Sequence, residues 1–507
     1  MTLLFWLATA FAGAGNDVVA CLELYDIACA QTAAGRLGAS AEDRAARAEL
    51  DFHLGEFATA RDGLKWVADS TKDAELAKRL ALFERVAGAT TGFTTEKRAD
   101  VTLRYRAGMD DVLLDEALET LQASHDKIGP LLGGAPPGGV RMELFPTAQR
   151  FIDASSLPGE AVRKTGVIAL SKWTRLLVSS PRALGRGYGW KDTIAHEYIH
   201  FIVAWRTKDR APVWLQEGIA RSHESMWRED EPSPLTPTQE SLLAAALKDD
   251  KLVPLARMHP SMAFLDSADE AALAFAQVST MIVHLRRTAG PDAVSRVLDL
   301  VRDGRDALQA VADVGSGGDT TAFMDDWKTY LKSLKLVSRK LSESKVILDG
   351  AGDEFDADPQ LGQRTDLARF ARLGDILLDH GRADAALVEF RKAAPSDEPP
   401  SPILSVRTAE ALVLLGRKDE AQAMLSASAV DYPEHAPTRI ALGKMLLDKG
   451  DSAGAFREYR AGVDVDPFDS AAQAALAALY ATRGDAPLAE RHRRYARLLT
   501  SSEPATR

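Results

Sequence analysis

His196-Glu197-Tyr198-Ile199-His200 and, shortly after it, Pro212-Val213-Trp214-Leu215-Gln216-Glu217-Gly218-Ile219-Ala220 carry the most chemical information in the chain. On a helix, i,i+4 spacing puts both imidazoles on one face, where two neutral nitrogens can reach one zinc ion. Glu197, between them, then falls beside that ion, within reach of a water proton. Asp192 is expected to cap this helix, which runs through Trp205. Pro212 suits the first turn of a second helix, from which Glu217 would project. Its carboxylate completes a three-ligand site with a fourth position open. The connection between the two helices is short, so they can be neighbours.

Outward from this pair, the preceding sequence changes texture. Residues 101–105 (VTLRY) alternate like a strand, residues 110–133 read as a helix, and the Gly/Pro run 133–139 is a turn before a strand at 140–145. Further strands are expected at 166–170 and 174–179. Helix then dominates to about residue 335, broken by a Pro-rich loop at 231–237. Strands first and helices after make an α+β domain. Gly185-Arg186-Gly187-Tyr188-Gly189 lacks the lysine and strand-to-helix setting of a phosphate loop, and is expected to be a flexible approach to the first helix.

HExxH followed by Trp214-Leu215, Glu217-Gly218 and Ala220 resembles the gluzincin metallopeptidases, specifically the peptidase MA-like group, over residues 98–335. The resemblance implies a zincin-like fold and one Zn2+ per chain, held by His196, His200 and Glu217. It further implies peptide bond hydrolysis with Glu197 as general base and proton shuttle. It also implies a substrate peptide held as an added strand on a sheet edge, expected here at 174–179. Relatives often supply a tyrosine or histidine to stabilise the transition state, yet the helix at 274–277, where one would be sought, has Phe275.

Three residues near Glu217 are candidates for supporting roles. Arg221 shares its helix face and can steady an oxyanion or a substrate carboxylate, or simply lie in solvent. Glu224, also on that face, can accept an imidazole N–H. His223 points to a different face and is expected at the surface.

The clearest periodicity lies further on. Gly381, Gly416, Gly450 and Gly484 are each followed five residues later by Ala386, Ala421, Ala455 and Ala489, and preceded by seven residues by Gly374, Ala409, Gly443 and Ala477. Small residues where two helices touch, glycine at the turn, and Pro433 and Pro467 beyond the second helix read as stacked helical hairpins. The segment resembles tetratricopeptide (TPR) repeats, which implies a protein partner or substrate recruited there. Ala48, Gly55 and Ala60 repeat the spacing once near the N-terminus.

The first 14 residues, MTLLFWLATAFAGA, resemble a secretory signal peptide. Cys21 and Cys29, the only cysteines, would face an oxidising compartment after export, but on one straight helix they would sit two turns apart, too far to bond. Val18-Val19-Ala20-Cys21 also resembles a bacterial lipobox, with a lipid anchor at Cys21 as the alternative to two packed small residues. A net charge of -11 and no basic stripe interleaved with aromatics argue against nucleic acid.

The expected organisation is a signal peptide at 1–14, a helical, TPR-like region at 15–97, the metallopeptidase domain at 98–335, a linker at 336–362 and TPR repeats at 363–500. A peptidase MA-like domain with TPR repeats resembles a bacterial arrangement, here an exported one of the periplasm or cell envelope. Two functions follow: a zinc metallopeptidase acting on a protein or peptide substrate, or an inactive TPR scaffold that keeps the peptidase fold.

Overall fold

The computed structural model describes residues 13–185, 187–258, 262, 265–341, 355, 358, 360–362, 364–394 and 398–502. Five helices come first: α1 (Ala14–Glu23), α2 (Ile27–Ala34), α3 (Ala41–Leu54), α4 (Phe57–Thr71) and α5 (Ala74–Ala89). A mixed segment follows, with β1 (Thr94–Arg98), β2 (Val101–Tyr105), α6 (Asp111–Leu131), β3 (Val140–Phe145), α7 (Ala148–Ala154), α8 (Gly159–Thr165), β4 (Ala169–Lys172) and β5 (Arg175–Ser179). Seven helices complete the middle of the chain: α9 (Trp190–Thr207), α10 (Val213–His223), α11 (Pro237–Asp249), α12 (Ala268–Ala289), α13 (Ala293–Arg302), α14 (Ala307–Gly315) and α15 (Thr320–Ser333). Eight more form four hairpins: α16 (Thr365–Asp379) with α17 (Ala383–Ala393), α18 (Pro402–Leu414) with α19 (Lys418–Asp431), α20 (Ala436–Asp448) with α21 (Ser452–Val465), and α22 (Ser470–Thr482) with α23 (Ala486–Ser502).

The strands make one mixed sheet in the order β1-β2-β3-β5-β4 among the described residues, with β2, β3 and β5 parallel and β1 and β4 antiparallel at the two edges. This corrects the expected substrate edge: β5 pairs on both sides, and β4 is the strand left at the margin. Trp173 and Thr174 both take positive φ (53° and 60°), so a two-residue turn folds β4 back onto β5.

Side chains alternate across the sheet. Leu103, Met142, Leu144, Leu176 and Val178 pack under α6 and α9 in the largest core. The other face meets the N-terminal helices, where Phe145, Trp173 and Leu177 join Phe52, Phe57 and Phe83 in one core. Charges are buried in that layer too. Arg175 lies 3.3 Å from Glu143, 1% and 0% exposed, with Phe52, Phe57 and Trp173 at 4.5–5.6 Å from its guanidinium.

The repeat glycines behave as their spacing demands. Gly381, Gly416, Gly450 and Gly484 all take φ between 70° and 84°, and Ala386, Ala421, Ala455 and Ala489 are fully buried. At Gly374 a Cβ would stand 2.5 Å from the Phe390 ring, which explains the small residue there.

At the N-terminus one reading changes and one is not reached. Residues 1–12 of the expected signal peptide lie outside the described residues, and Ala14 already opens α1. The two cysteines are not on one straight helix: the turn at residues 24–26 folds α2 back, and Cys21 is bonded to Cys29 with their Cα atoms 5.6 Å apart. A lipid on Cys21 is therefore not supported, since its sulfur is already used. Among the described residues no helix is long and apolar enough to cross a membrane.

Candidate metal centre

α9 is held by its apolar side: Ile194, Ala195, Tyr198, Ile199 and Ile202 are fully buried in the core. The opposite pair, His196 and His200, then faces α10 across a turn made by Lys208 and Asp209 at positive φ. α10 is drawn against α12 by Gly218, where a Cβ would lie 2.8 Å from the Val278 carbonyl oxygen. That close approach sets Glu217 toward the histidines, a physical reason for the glycine that follows it.

The three side chains converge. His196 Nε2 and His200 Nε2 are 3.0 Å apart, and the Glu217 carboxylate oxygens lie 3.4 Å and 3.5 Å from them. A tetrahedral zinc ion ~2.1 Å from each ligand atom sets those atoms ~3.4 Å apart, so the spacing and the donor set both fit such an ion. Among the described residues these three are the group of His, Cys, Asp and Glu side chains whose ligand atoms cluster within 4.8 Å.

Their surroundings orient them. Glu224 lies 2.7 Å from His196 Nδ1, which leaves Nε2 as the nitrogen directed at Glu217 and His200. Glu197 is 7% exposed and takes a hydrogen bond from the backbone N–H of Ser171 on β4, joining the edge strand to the cluster. Arg221 reaches Glu224 at 3.3 Å and stacks 5.5 Å over the Phe275 ring. The expected capping role of Asp192 is corrected: Gly189 is the capping residue, and the Asp192 carboxylate instead accepts from Ser225 Oγ, Trp227 Nε1 and Arg228, tying the start of α9 to the chain beyond α10.

His223 is not a surface residue. It is 1% exposed, its Nδ1 faces the Ile219 carbonyl at 2.9 Å, and burial pushes its imidazole down to about 3. Sequence spacing separated it from Glu217 but carried no information on how much covers that face.

Charge is distributed unequally across the cluster. Burial opposes protonation of both imidazoles, yet hydrogen bonds to Glu217 and Glu224 lift His196 to about 10, while His200 is pushed down to about 4 by burial. Burial raises Glu197 to about 7; Glu217, despite its own burial, is held down to about 2 by His200 and His196.

Residues 131–333 match the Peptidase MA superfamily. The match contains both halves of the cluster. No curated protein matches the chain. Among solved structures, the crystal structure of MamA is 16% identical, covering 28% of this chain and 81% of its own, with a TM-score of 0.25. YrrB, described as a TPR protein with an unusual peptide-binding site, is 15% identical over 39% of this chain and 87% of its own (TM-score 0.23). Native leukotriene A4 hydrolase from Saccharomyces cerevisiae is 11% identical over 81% of this chain and 66% of its own (TM-score 0.32).

Proposed function

We propose that the chain is a zinc-dependent peptidase whose metal is held by His196, His200 and Glu217. The observation that carries the proposal is the convergence of these three side chains at zinc-ligand spacing within the segment that matches the Peptidase MA superfamily. Zinc held there would supply Lewis acidity at the open side of the cluster. The chain supplies the rest. Glu197, anchored by Ser171, accepts a proton from the attacking water at its carboxylate and returns it to the leaving nitrogen. Glu224 fixes the orientation and tautomer of His196. The edge strand β4, beside α9, offers its backbone to an extended peptide, which would lie across Glu197. Arg221 provides a positive charge for an oxyanion or a substrate carboxylate. The repeats recruit a protein partner or substrate, and the Cys21–Cys29 bond suits an exported protein in an oxidising compartment.

A second reading draws on Phe275: with an apolar ring against Arg221 and no phenol hydroxyl at that position, the cleft would hold peptides without turnover. Changing Glu197→Gln separates the two. Under the peptidase reading the variant keeps its zinc and loses hydrolysis by at least ~100-fold; hydrolysis at the wild-type rate would remove Glu197 from its role.

A further inference from the structure

The glycine-rich segment ahead of α9 is a docking strip, not a loose approach. Gly187 takes φ +70°, and a Cβ there would fall 2.1 Å from the carbonyl oxygen of Val465, the last residue of α21. The N–H of the next residue, Tyr188, donates to that same oxygen at 3.1 Å. Gly189 also lies against the repeats, less tightly, since its Cβ would meet the Glu434 carboxylate at 2.7 Å.

One residue into α9 the contact becomes ionic. Lys191 Nζ donates to Glu116 of α6 at 3.1 Å and to Asp464 of α21. Arg460 of α21 closes the circuit, 2.8 Å from Glu116 and 3.0 Å from Asp464. The result is a ring of alternating charge in which each carboxylate touches both cations. Lys191 and Glu116 are 9% and 10% exposed. A buried pair broken on one side leaves an uncompensated charge, so such a ring resists being opened one member at a time.

These contacts grip α9 in its first turn, one and a half turns before His196. We infer that the third repeat (α20 and α21) is part of the support of the metal centre: Asp464 and Arg460 position α9 through Lys191, and Val465 fixes the strip that leads into it. The repeats therefore act on the cluster mechanically, and a ligand that shifts α21 is felt at His196. This inference rests on the reading of α9 as the metal-binding helix of a peptidase.

The test uses the full chain carrying Asp464→Asn or, independently, Gly187→Ala, with Asp464→Glu as the conservative control. Amide hydrogen exchange is followed along residues 193–200, and zinc affinity is measured by competition with a chelator. Exchange in that part of α9 is expected to quicken ~10-fold and zinc binding to weaken ~10-fold in both variants, while α16 to α19 keep wild-type exchange and Asp464→Glu stays close to wild type. Unchanged α9 exchange in both variants, with loosening confined to α20 and α21, would overturn the inference. Wild-type protein that binds no zinc would instead remove the peptidase reading, and the exchange measurement would still decide whether the repeats position α9.

Discussion

The two helical regions that flank the sheet are attached in opposite ways. The N-terminal helices share a core with the back of the sheet: Phe52 stacks on Phe83 with centroids 4.2 Å apart and meets Trp173 edge-on at 5.2 Å, and the Arg175–Glu143 pair is sealed between them. The repeats have cores of their own, one running from Phe355 to Leu442 and another from Ala455 to Ala489. Tyr495 and Leu499 of α23 reach the core beneath, and much of the remaining seam is ionic, through Lys191, Glu116, Arg460 and Asp464 and then Arg491 with Glu119. A shared apolar core makes folding of the two parts one event, whereas a polar seam lets each part keep its structure and still transmit position.

Breaking the shared side should cost most. Arg175→Leu leaves the Glu143 carboxylate buried without its cation, and is expected to lower the stability of the sheet and the N-terminal helices together by ~3–5 kcal/mol. Denaturant unfolding followed by tryptophan fluorescence and far-UV circular dichroism reads this, and a change below ~1 kcal/mol would mean that the aromatic cage alone holds the layer. Within the repeats the damage should stay local. Gly374→Ala drives a methyl into the Phe390 ring, an expected loss of ~1–3 kcal/mol visible as faster amide exchange in α16 and α17 and absent from α9.

The seam should show its ionic nature in pH. Burial would raise the Glu116 carboxyl, but Arg460 and Lys191 hold it well below the usual glutamate range. A depressed pKa means stability that is fully present above the unfolded glutamate value and lost as pH falls through the folded one. The stability difference between wild type and Glu116→Gln should therefore be constant from neutral pH down to the ordinary glutamate range and shrink only in stronger acid. A difference that already fades near pH 6 would contradict the ring. The smallest effect is expected at the outer edge of the seam, where Arg491→Ala removes a half-exposed pair with Glu119 and should cost ~0.2–1 kcal/mol, sensitive to salt.

What could be read from the sequence followed from local rules. The turn glycines and buried alanines of the repeats were legible because a hairpin needs small residues at fixed offsets, the strand at 101–105 because its burial alternates, and that at 140–145 because the Gly/Pro turn at 133–139 precedes it. His196, His200 and Glu217 were legible as a cluster because helical spacing fixes the first two and a short connection brings the third. Less visible were features set by tertiary neighbours. Strand order placed β4, not β5, at the margin, and its local trace is faint: Leu176-Leu177-Val178 of β5 is a continuous apolar run buried on both faces, whereas β4 ends in Ser171-Lys172. The disulfide depended on a turn at residues 24–26 that apolar periodicity does not mark. Asp192 resembled a cap in sequence but sits inside α9, where Ser225, Trp227 and Arg228 claim it. The ring around Lys191 joins residues far apart in the chain, and charges on separate helices leave no periodic trace.

The most direct test of the central claim is the zinc content of purified wild-type protein beside Glu217→Ala, with release of peptides from unfolded casein followed in the same samples. One zinc per wild-type chain with chelator-sensitive cleavage, both lost in the variant, is the expected result; wild-type protein without zinc, or zinc and cleavage that survive the loss of Glu217, would contradict a metal centre built on His196, His200 and Glu217.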